Sequence, residues 1–294
     1  MDWDAFKDFC IGKEHLQFNT YRNRKRYLKH LIKNCDVDNP DSVYKYFSLR
    51  ISNGTKGYQL NNYIKTLNIF YRFKKHDHYF KLYKSYEKPV KIPTKQDIAL
   101  LLRNCSRSHI GKRTKTIIYL MCNTGLRNKE LCELSFDCID WVHNEIRLVG
   151  KWDRPRVIPV KDYVLHGKYV PSLKNYIDHH RKPTSDKHIF TTYEGQISTK
   201  TVRDDVKRVA RKSGISWVHP HSFRHFYATT LLSKNINVKV VQKLLGHGNV
   251  RETSRYLHAK ELDIRRAIKD TDFDSLLKGG FELDFNLTNF TGGI

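Results

Sequence analysis

Two arginines are the residues in this sequence best suited to binding an anionic group. Arg127 follows the helix-breaking Gly125 in the run TGLRNKEL, and Glu130 lies one turn further along the predicted helix. A guanidinium at a helix N-terminus can present its planar pair of donors to a phosphate. The alternative is a solvent-exposed ion pair between Arg127 and Glu130 at i,i+3 spacing.

The second arginine, Arg224, lies in the run HPHSFRH, where Pro220 favours the start of a helix. His221 and Arg224 are three residues apart, so both belong to one helical face. An imidazole and a guanidinium on one face can bind the same anionic group. A metal site made of His219, His221 and His225 is the alternative, but no carboxylate or Cys lies close by in the sequence.

Three further side chains could donate a proton or act as a nucleophile. Lys151 lies in a predicted turn, from which its ammonium group could act as a general acid. His247 follows Gly246, a residue type that commonly ends helices, and Tyr256 lies in a short stretch flanked by polar residues. Each has a plain alternative. In a chain with 54 Lys+Arg and 17 Tyr, solvated lysines and packed tyrosines are the commoner cases.

The second part of the chain must position these side chains, and its pattern is mixed. Thr94 and Asp97 have the spacing of a capping box, after a boundary near 85–93 that carries two prolines. A hairpin of two β-rich strands, Glu145–Val149 and Arg156–Val160, flanks the lysine-bearing turn. Helices are predicted at 95–104, 113–123, 127–134, 199–212, 221–234, 238–245 and 260–269.

The first part of the chain has the pattern of a small all-helical bundle. Apolar residues recur at helical spacing from Asn19 to Lys33 and from Tyr58 to Lys75. The first of these helices has an apolar face made of Tyr21, Leu28, Leu31 and Ile32. Its remaining surface is basic, with Arg22, Arg24, Lys25, Arg26 and Lys29.

The chain has 294 residues and a formal charge of +24. Residues 1–90 carry 18 Lys+Arg and 9 Asp+Glu, residues 91–256 carry 31 and 14, and residues 257–294 carry 5 and 7. The positive charge therefore belongs to two long blocks and not to a basic tail. With 39% hydrophobic residues, the chain is too apolar for a disordered polycation. Two folded blocks that bind one polyanion are expected, with nucleic acid as the first candidate.

Cysteine usage and hydropathy exclude other classes of protein. No two of the six cysteines form a C-x-x-C pair, so a zinc site of finger type is not expected. They are expected to be reduced, buried thiols of a reducing compartment. We expect no membrane span, since no run of about 18 apolar residues occurs. The acidic, mixed N-terminus MDWDAFKDFC does not read as a secretory signal.

The order and spacing of the segments above resemble the tyrosine recombinase, or phage integrase, family. The motifs are TGLRxxEL, a Gly-Lys pair in a β-turn, HxxRH, LGH, and a tyrosine nine residues after that last histidine. Together they cover about residues 91–270. The resemblance implies an active site made of Arg127, Lys151, His221, Arg224, His247 and Tyr256, with Glu130 as a supporting acid and Tyr256 as the nucleophile.

The resemblance also implies a fold and a division into domains. The expected fold is mainly α with a small β-sheet. Residues 1–88 would form a helical core-binding (SAM-like) DNA-binding domain, 89–93 a linker, and 94–278 an α+β catalytic domain. Residues 279–294 would form a C-terminal tail that docks on a neighbouring subunit or folds back to control Tyr256, with simple disorder as the alternative. The basic residues of the first block would contact DNA phosphates.

The activity implied is that of a site-specific recombinase without metal, ATP or any other cofactor. Such an enzyme cleaves and rejoins duplex DNA through a 3′-phosphotyrosyl intermediate and a Holliday junction, in integration and excision or in dimer resolution. The implied partner is double-stranded DNA with a specific site, bound by a homotetramer on two sites. A monomer or weak dimer is expected free in solution, in a prokaryotic cytoplasm with the nucleoid. The alternatives are DNA relaxation of the type IB topoisomerase kind and a non-catalytic DNA-binding protein.

Overall fold

A computed structural model describes residues 1–84, 90–149, 155–168 and 171–246 of the chain. The chain divides into two compact units, Met1–Lys88 and Pro89–Ile294. Several of the predicted features fall on residues outside the described ranges. They are much of the linker, the turn with Lys151, His247, Tyr256, the helix over 260–269 and the tail over 279–294.

The described part of the first unit is helical throughout. Its helices are α1 (Trp3–Asp8), a π-helical turn (Phe9–Lys13), α2 (Phe18–Asn34), α3 (Pro40–Ser52) and α4 (Gly57–Phe73). The two helices predicted from apolar periodicity are confirmed as α2 and α4. Pro40 occupies the first turn of α3, where its missing N–H costs no hydrogen bond.

The core of the first unit forms where α2 packs against α4. Tyr21, Leu28 and Leu31 are buried on α2, as the periodicity predicts. Ile32 was predicted on the same face but is 42% exposed, so that prediction is wrong. Helical spacing identifies a face, but it does not say how far along the helix the neighbouring elements cover it.

Besides a short 3-10 helix (Phe136–Cys138), the described part of the second unit contains eight α-helices. They are α5 (Lys95–Asn104), α6 (His109–Thr124), α7 (Asn128–Cys132), α8 (Asp162–His166), α9 (Leu173–His179), α10 (Thr199–Lys212), α11 (Pro220–Ser233) and α12 (Val238–Leu245). The helices predicted at 95–104, 199–212 and 238–245 are confirmed with the same bounds. The capping box at α5 is also confirmed, with Thr94 N–H donating to Asp97 Oδ2 at 2.8 Å.

Two small antiparallel sheets complete the described fold of the second unit. β1 (Ile139–Asp140), β2 (Glu145–Val149) and β3 (Pro155–Pro159) pair in that order, and β4 (Thr191–Thr192) pairs with β5 (Gly195–Gln196). The predicted hairpin is therefore confirmed as β2 and β3, with the second strand one residue earlier. The mainly helical fold with a small sheet agrees with the predicted class.

The core of the second unit includes the buried residues of α6, against which α11 packs. Residues Ile117, Ile118, Leu120 and Met121 of α6 are all buried. A separate apolar cluster of Tyr227, Ala228, Leu232, Val241 and Leu245 joins α12 to α11. This cluster fixes the C-terminal end of α12.

Three of the six cysteines are buried and three are half-buried, and all six are free thiols. Burial raises the pKa of the Cys10 thiol to about 11, so this group is protonated at neutral pH. Within the described ranges, no helix is both long enough and apolar enough to cross a bilayer.

Candidate active site

The turn between α6 and α7 depends on Gly125 and presents Arg127. Gly125 has φ +63°, and a Cβ there would lie 2.4 Å from Tyr227 Cδ1, so both backbone and space require glycine. Arg127 is the N-cap residue of α7. Its backbone N–H donates to Glu130 Oε2 at 2.7 Å, and its Nη1 donates to Oε1 at 2.8 Å. The i,i+3 pair predicted as the simpler alternative therefore forms, but Glu130 is only 14% exposed.

Arg224 lies near the start of α11 and is 1% exposed. As predicted, Pro220 begins this helix, and its N-cap His219 donates its N–H to Ser222 Oγ at 3.2 Å. Arg224 Nη1 donates to the carbonyl oxygen of Gly125 at 2.7 Å, and Nη2 donates to that of Leu245 at 2.6 Å. Its guanidinium is thus fixed between the end of α6 and the end of α12.

His221 differs from Arg224 in its surroundings, although both lie in the first turns of α11. His221 is exposed, and its ring lies 4.9 Å from that of His225 in an edge-on arrangement. Three residues along a helix leave an angle of about 60° between side chains, which is enough to place one inside and one outside. Among the described residues, no cluster of three or more His, Cys, Asp or Glu side chains has the geometry of a metal site.

The C-terminal end of α12 receives hydrogen bonds from three arginines. The carbonyl oxygen of Leu245 accepts from Arg224 and from Arg156, and that of Gly246 accepts from Arg127 Nη2 at 2.7 Å. The last carbonyl groups of a helix have no partner within the helix and carry partial negative charge, so they attract cations. We call Arg127, Arg156 and Arg224 the arginine cluster.

Arg156 is the member of this cluster that was not predicted as a site residue. It lies on β3, with 8% of its side chain exposed, and its Nη2 donates to Glu130 Oε2 at 2.7 Å. One signal in the sequence could have found it. Side chains alternate along a strand, so Arg156 shares a face with Ile158, which is fully buried. A charged residue on the buried face of a strand needs a partner.

Glu130 is the acidic partner within the arginine cluster. Burial on its own would raise the pKa of its carboxyl group, but the Arg156 charge and hydrogen bonds from Arg127 outweigh burial. The net pKa therefore lies below the ordinary value, and Glu130 is ionised at neutral pH. One carboxylate against three guanidinium groups leaves the cluster with an excess of positive charge, which suits an anionic ligand.

The remaining candidate catalytic residues lie outside the described residues. Lys151 belongs to the segment between β2 and β3, whose ends are fixed by the pairing of Val149 with Pro155. His247 is the residue after Gly246, which has φ +61° and ends α12 as predicted. The structure therefore brings together Arg127, Arg224 and Glu130.

The basic residues of α2, which we call the basic face of α2, differ in their environments. Arg22, Arg26 and Lys29 are exposed. Arg24 instead points toward α4, where its Nη1 donates to the Asn62 carbonyl oxygen at 3.1 Å, and burial lowers its pKa.

Both lysines of this face lie near the aromatic ring of Trp3. Lys25 Nζ lies 5.0 Å from the centroid of the Trp3 ring, and Lys29 Nζ lies 5.5 Å from it. Such contacts hold the cations near the helix surface without burying their charge.

Comparison with known proteins agrees with the motifs. Residues 92–262, more than half of the chain, match the model of the phage integrase family. This chain belongs to that family. A tyrosine recombinase of Thermosipho africanus (strain TCF52B) is 32% identical over 292 residues, covering 90% of this chain and 98% of its own length. Tyrosine recombinase XerC of Staphylococcus aureus (strain MRSA252) is 28% identical, covering 90% of this chain and 86% of its own length.

Solved structures share the fold of this chain. The Tn1549 transposon integrase, in complex with transposon right end DNA, superposes with a TM-score of 0.67 at 18% identity. It covers 90% of this chain and 99% of its own. The family is that of tyrosine recombinases, which are DNA strand transferases. This membership favours a recombinase over a topoisomerase of type IB and over a non-catalytic DNA-binding protein.

Proposed function

We propose that this chain is a site-specific recombinase that cleaves and rejoins duplex DNA through Tyr256. The observation that carries the proposal is the arginine cluster, in which Arg127 and Arg224 meet beside the end of α12. The chain from this end continues to His247 and, nine residues later, to Tyr256. A cluster of cations can bind a phosphodiester, and a tyrosine that follows closely in the chain can attack it.

The arginines would stabilise the charge that develops on the phosphate. A phosphodiester carries one negative charge, and its non-bridging oxygens gain more as a nucleophile adds. Guanidinium groups fixed before the reaction stabilise this charge without a metal ion. Arg127 is 34% exposed, so it can contact a bound anion, while Glu130 holds its orientation.

Proton transfer would involve three other groups. A tyrosine has an unperturbed pKa of about 10 and needs activation before it attacks. Nearby guanidinium groups favour its phenolate, and His221 could accept the proton. Lys151 would donate a proton to the leaving 5′ oxygen as general acid. His247 would form a hydrogen bond with the phosphate or with the leaving group.

The product of the attack would be a 3′-phosphotyrosyl link and a free 5′-hydroxyl group. The link keeps the energy of the phosphodiester, so rejoining needs no ATP. The 5′-hydroxyl of a second strand can reverse the step, and repetition on two duplexes gives a Holliday junction. We therefore propose a homotetramer on two specific sites of double-stranded DNA, assembled from monomers or weak dimers, for integration and excision or for dimer resolution.

The exposed part of the basic face of α2 is proposed as a DNA contact. Arg22, Arg26 and Lys29 present charge to solvent, and phosphates are the groups that such surface cations bind. We place the protein with the DNA of a prokaryotic host, in the cytoplasm.

The test is to trap the covalent intermediate on a library of duplex DNAs that carry a nick near the cleavage point. The full-length protein should form a covalent protein–DNA adduct that survives denaturation, and sequencing the trapped DNA identifies the site. Tyr256→Phe should form no adduct. Tyr193→Phe is the control, since this tyrosine is 87% exposed and makes no contact with the arginine cluster among the described residues, and its adduct should persist. Formation of the adduct by Tyr256→Phe would contradict the assignment of Tyr256 as the nucleophile.

A relaxation assay beside a two-site recombination assay separates the recombinase from a topoisomerase. A recombinase joins ends from two sites and gives products whose flanking sequences are exchanged. Relaxation of supercoils without any exchanged product would contradict the proposal.

A further inference from the structure

Arg156 has a position that the six candidate catalytic residues do not account for. It lies on β3, and its guanidinium makes hydrogen bonds in two directions. Nη2 donates to Glu130 Oε2 at 2.7 Å, and Nη1 donates to the carbonyl oxygen of Leu245. The first bond reaches α7 and the second reaches the end of α12. One buried side chain therefore joins three elements of the candidate site.

The bond to Glu130 connects Arg156 to Arg127. Glu130 Oε2 accepts from Arg156 and also from the backbone N–H of Arg127, while Oε1 accepts from Arg127 Nη1. Removing Arg156 would take away one of the two guanidinium groups that hold this carboxylate. The Glu130 side chain would gain freedom to rotate, and the orientation of Arg127 would change with it.

The bond to Leu245 connects Arg156 to the chain segment that leads to His247. Arg156 and Arg224 share the Leu245 carbonyl oxygen, so both guanidinium groups hold the same point of α12. The backbone at Gly246 also approaches Arg156 closely. A Cβ at Gly246 would lie 2.4 Å from Arg156 Nη1, so the guanidinium would have to shift to make room for it.

We propose that Arg156 is a positioning residue for strand cleavage. It holds Glu130, and through Glu130 it holds Arg127, in a fixed relation to the end of α12, from which the chain continues to His247. A planar guanidinium suits this task because it donates to two acceptors in different directions at the same time. This role rests on the function proposed above, since it concerns the same site.

A purely structural role is the competing interpretation, because a buried ion pair that loses one partner also destabilises a fold. The two roles make different predictions. A structural residue changes the fraction of folded protein, but each folded molecule cleaves at the normal rate. A positioning residue changes the rate of cleavage per folded molecule when DNA is saturating.

The experiment compares Arg156→Lys and Arg156→Ala with Arg147→Lys and Arg147→Ala in the full-length protein. Arg147 is a suitable control because it lies on the neighbouring strand β2, forms a 2.6 Å ion pair with Asp140 and is 57% exposed. The rate of adduct formation is measured on saturating nicked DNA, together with DNA affinity and thermal unfolding. We expect the Arg156 variants to lose about 10- to 100-fold in rate per folded molecule. The Arg147 variants should keep the natural rate.

Two further measurements distinguish a positioning role from a structural one. Millimolar guanidinium ion should accelerate cleavage by Arg156→Ala, because the small cation can replace the missing group between Glu130 and Leu245. It should not accelerate Arg147→Ala. Glu130→Gln combined with Arg156→Lys should lose little more than either change alone, because both act on one contact.

Several results would overturn the proposal. One is a set of folded Arg156 variants that cleave at the natural rate. Others are additive losses with Glu130→Gln, or a loss confined to thermal stability and insensitive to guanidinium. If Arg156→Ala fails to fold, the cleavage rate per folded molecule of Arg156→Lys tests the proposal by itself. If the natural chain forms no adduct that depends on Tyr256, the proposed function itself is contradicted. This result is obtained before any Arg156 variant is measured, so the two failures can be distinguished.

Discussion

The arginine cluster of the second unit and the basic face of α2 in the first unit both contain arginines, but the two sets of arginines differ in burial. Arg156 and Arg224 are almost fully buried and donate to named carbonyl or carboxylate oxygens. Arg22 and Arg26 are exposed to solvent. The first arrangement fixes a few charges with high precision, whereas the second offers many charges with little geometric restraint.

This difference decides how substitutions should act in each region. A buried guanidinium with two acceptors cannot be replaced without leaving polar groups unpaired, so single changes should be severe. An exposed cation contributes to a summed electrostatic field, so single changes should be small and additive. Substitutions in the two regions should therefore differ in size, with the largest effects in the arginine cluster and the smallest on α2.

Replacing Arg224 by lysine should produce the largest loss. Lysine keeps the positive charge but lacks the planar fork that reaches both Gly125 and Leu245. Strand cleavage should fall by about 10²- to 10³-fold, because the turn before Arg127 and the end of α12 would lose the guanidinium that holds them in place. The adduct assay on nicked DNA measures this loss. Arg211→Lys, an exposed change at the end of α10, is the control and should cleave normally.

Replacing Gly246 by alanine should affect stability through two causes that a control separates. Gly246 has φ +61°, and a Cβ would also lie 2.4 Å from Arg156 Nη1. Gly214 has φ +70° with open space around its Cβ position, so Gly214→Ala carries the backbone strain alone. We expect Gly246→Ala to lower the free energy of unfolding by about 2–3 kcal/mol, against about 1 kcal/mol for Gly214→Ala. Equal losses in chemical denaturation would show that Arg156 moves aside freely.

The charge of Glu130 should make the stability of the second unit depend on acidic pH. Its pKa is lower in the folded state than in the unfolded chain, so its contribution is fully present above the unfolded pKa. As the pH falls below about 4.3 and through the folded pKa, that contribution is lost. Glu130→Gln should lower stability at neutral pH and flatten this part of the pH profile. An unchanged profile in denaturation from pH 7 to pH 3 would contradict the ion pair.

The sequence predicted the elements of the site better than their surroundings. Gly125, Pro220 and Gly246 act locally, through backbone angles and helix ends, so their roles could be deduced from single positions. The partners of Arg24 and Arg156 are distant in the chain. Strand alternation indicates that Arg156 lies on a buried face, but no local pattern identifies the partners of either arginine. α8 and α9 were missed because helices of 5 and 7 residues show little periodicity. α7 is as short, but the break at Gly125 predicts where it begins.

The smallest effects should come from substitutions on the basic face of α2. They should differ between its exposed residues and Arg24, which forms hydrogen bonds with α4. Arg22→Gln removes an exposed charge, so it should leave stability within about 0.5 kcal/mol. It should also lower the slope of log affinity against log salt by about 0.9, if one phosphate contact is lost. Arg24→Gln instead breaks hydrogen bonds to the Asn62 carbonyl oxygen and to Thr66 Oγ1, so it should cost about 1 kcal/mol of stability. Binding titrations at several salt concentrations, with thermal unfolding of both variants, make this comparison. Only the exposed Arg22 is expected to contact a phosphate and so to release a counterion from the DNA. If the two variants have the same stability and the same salt dependence, burial on α2 does not distinguish structural arginines from arginines that contact DNA.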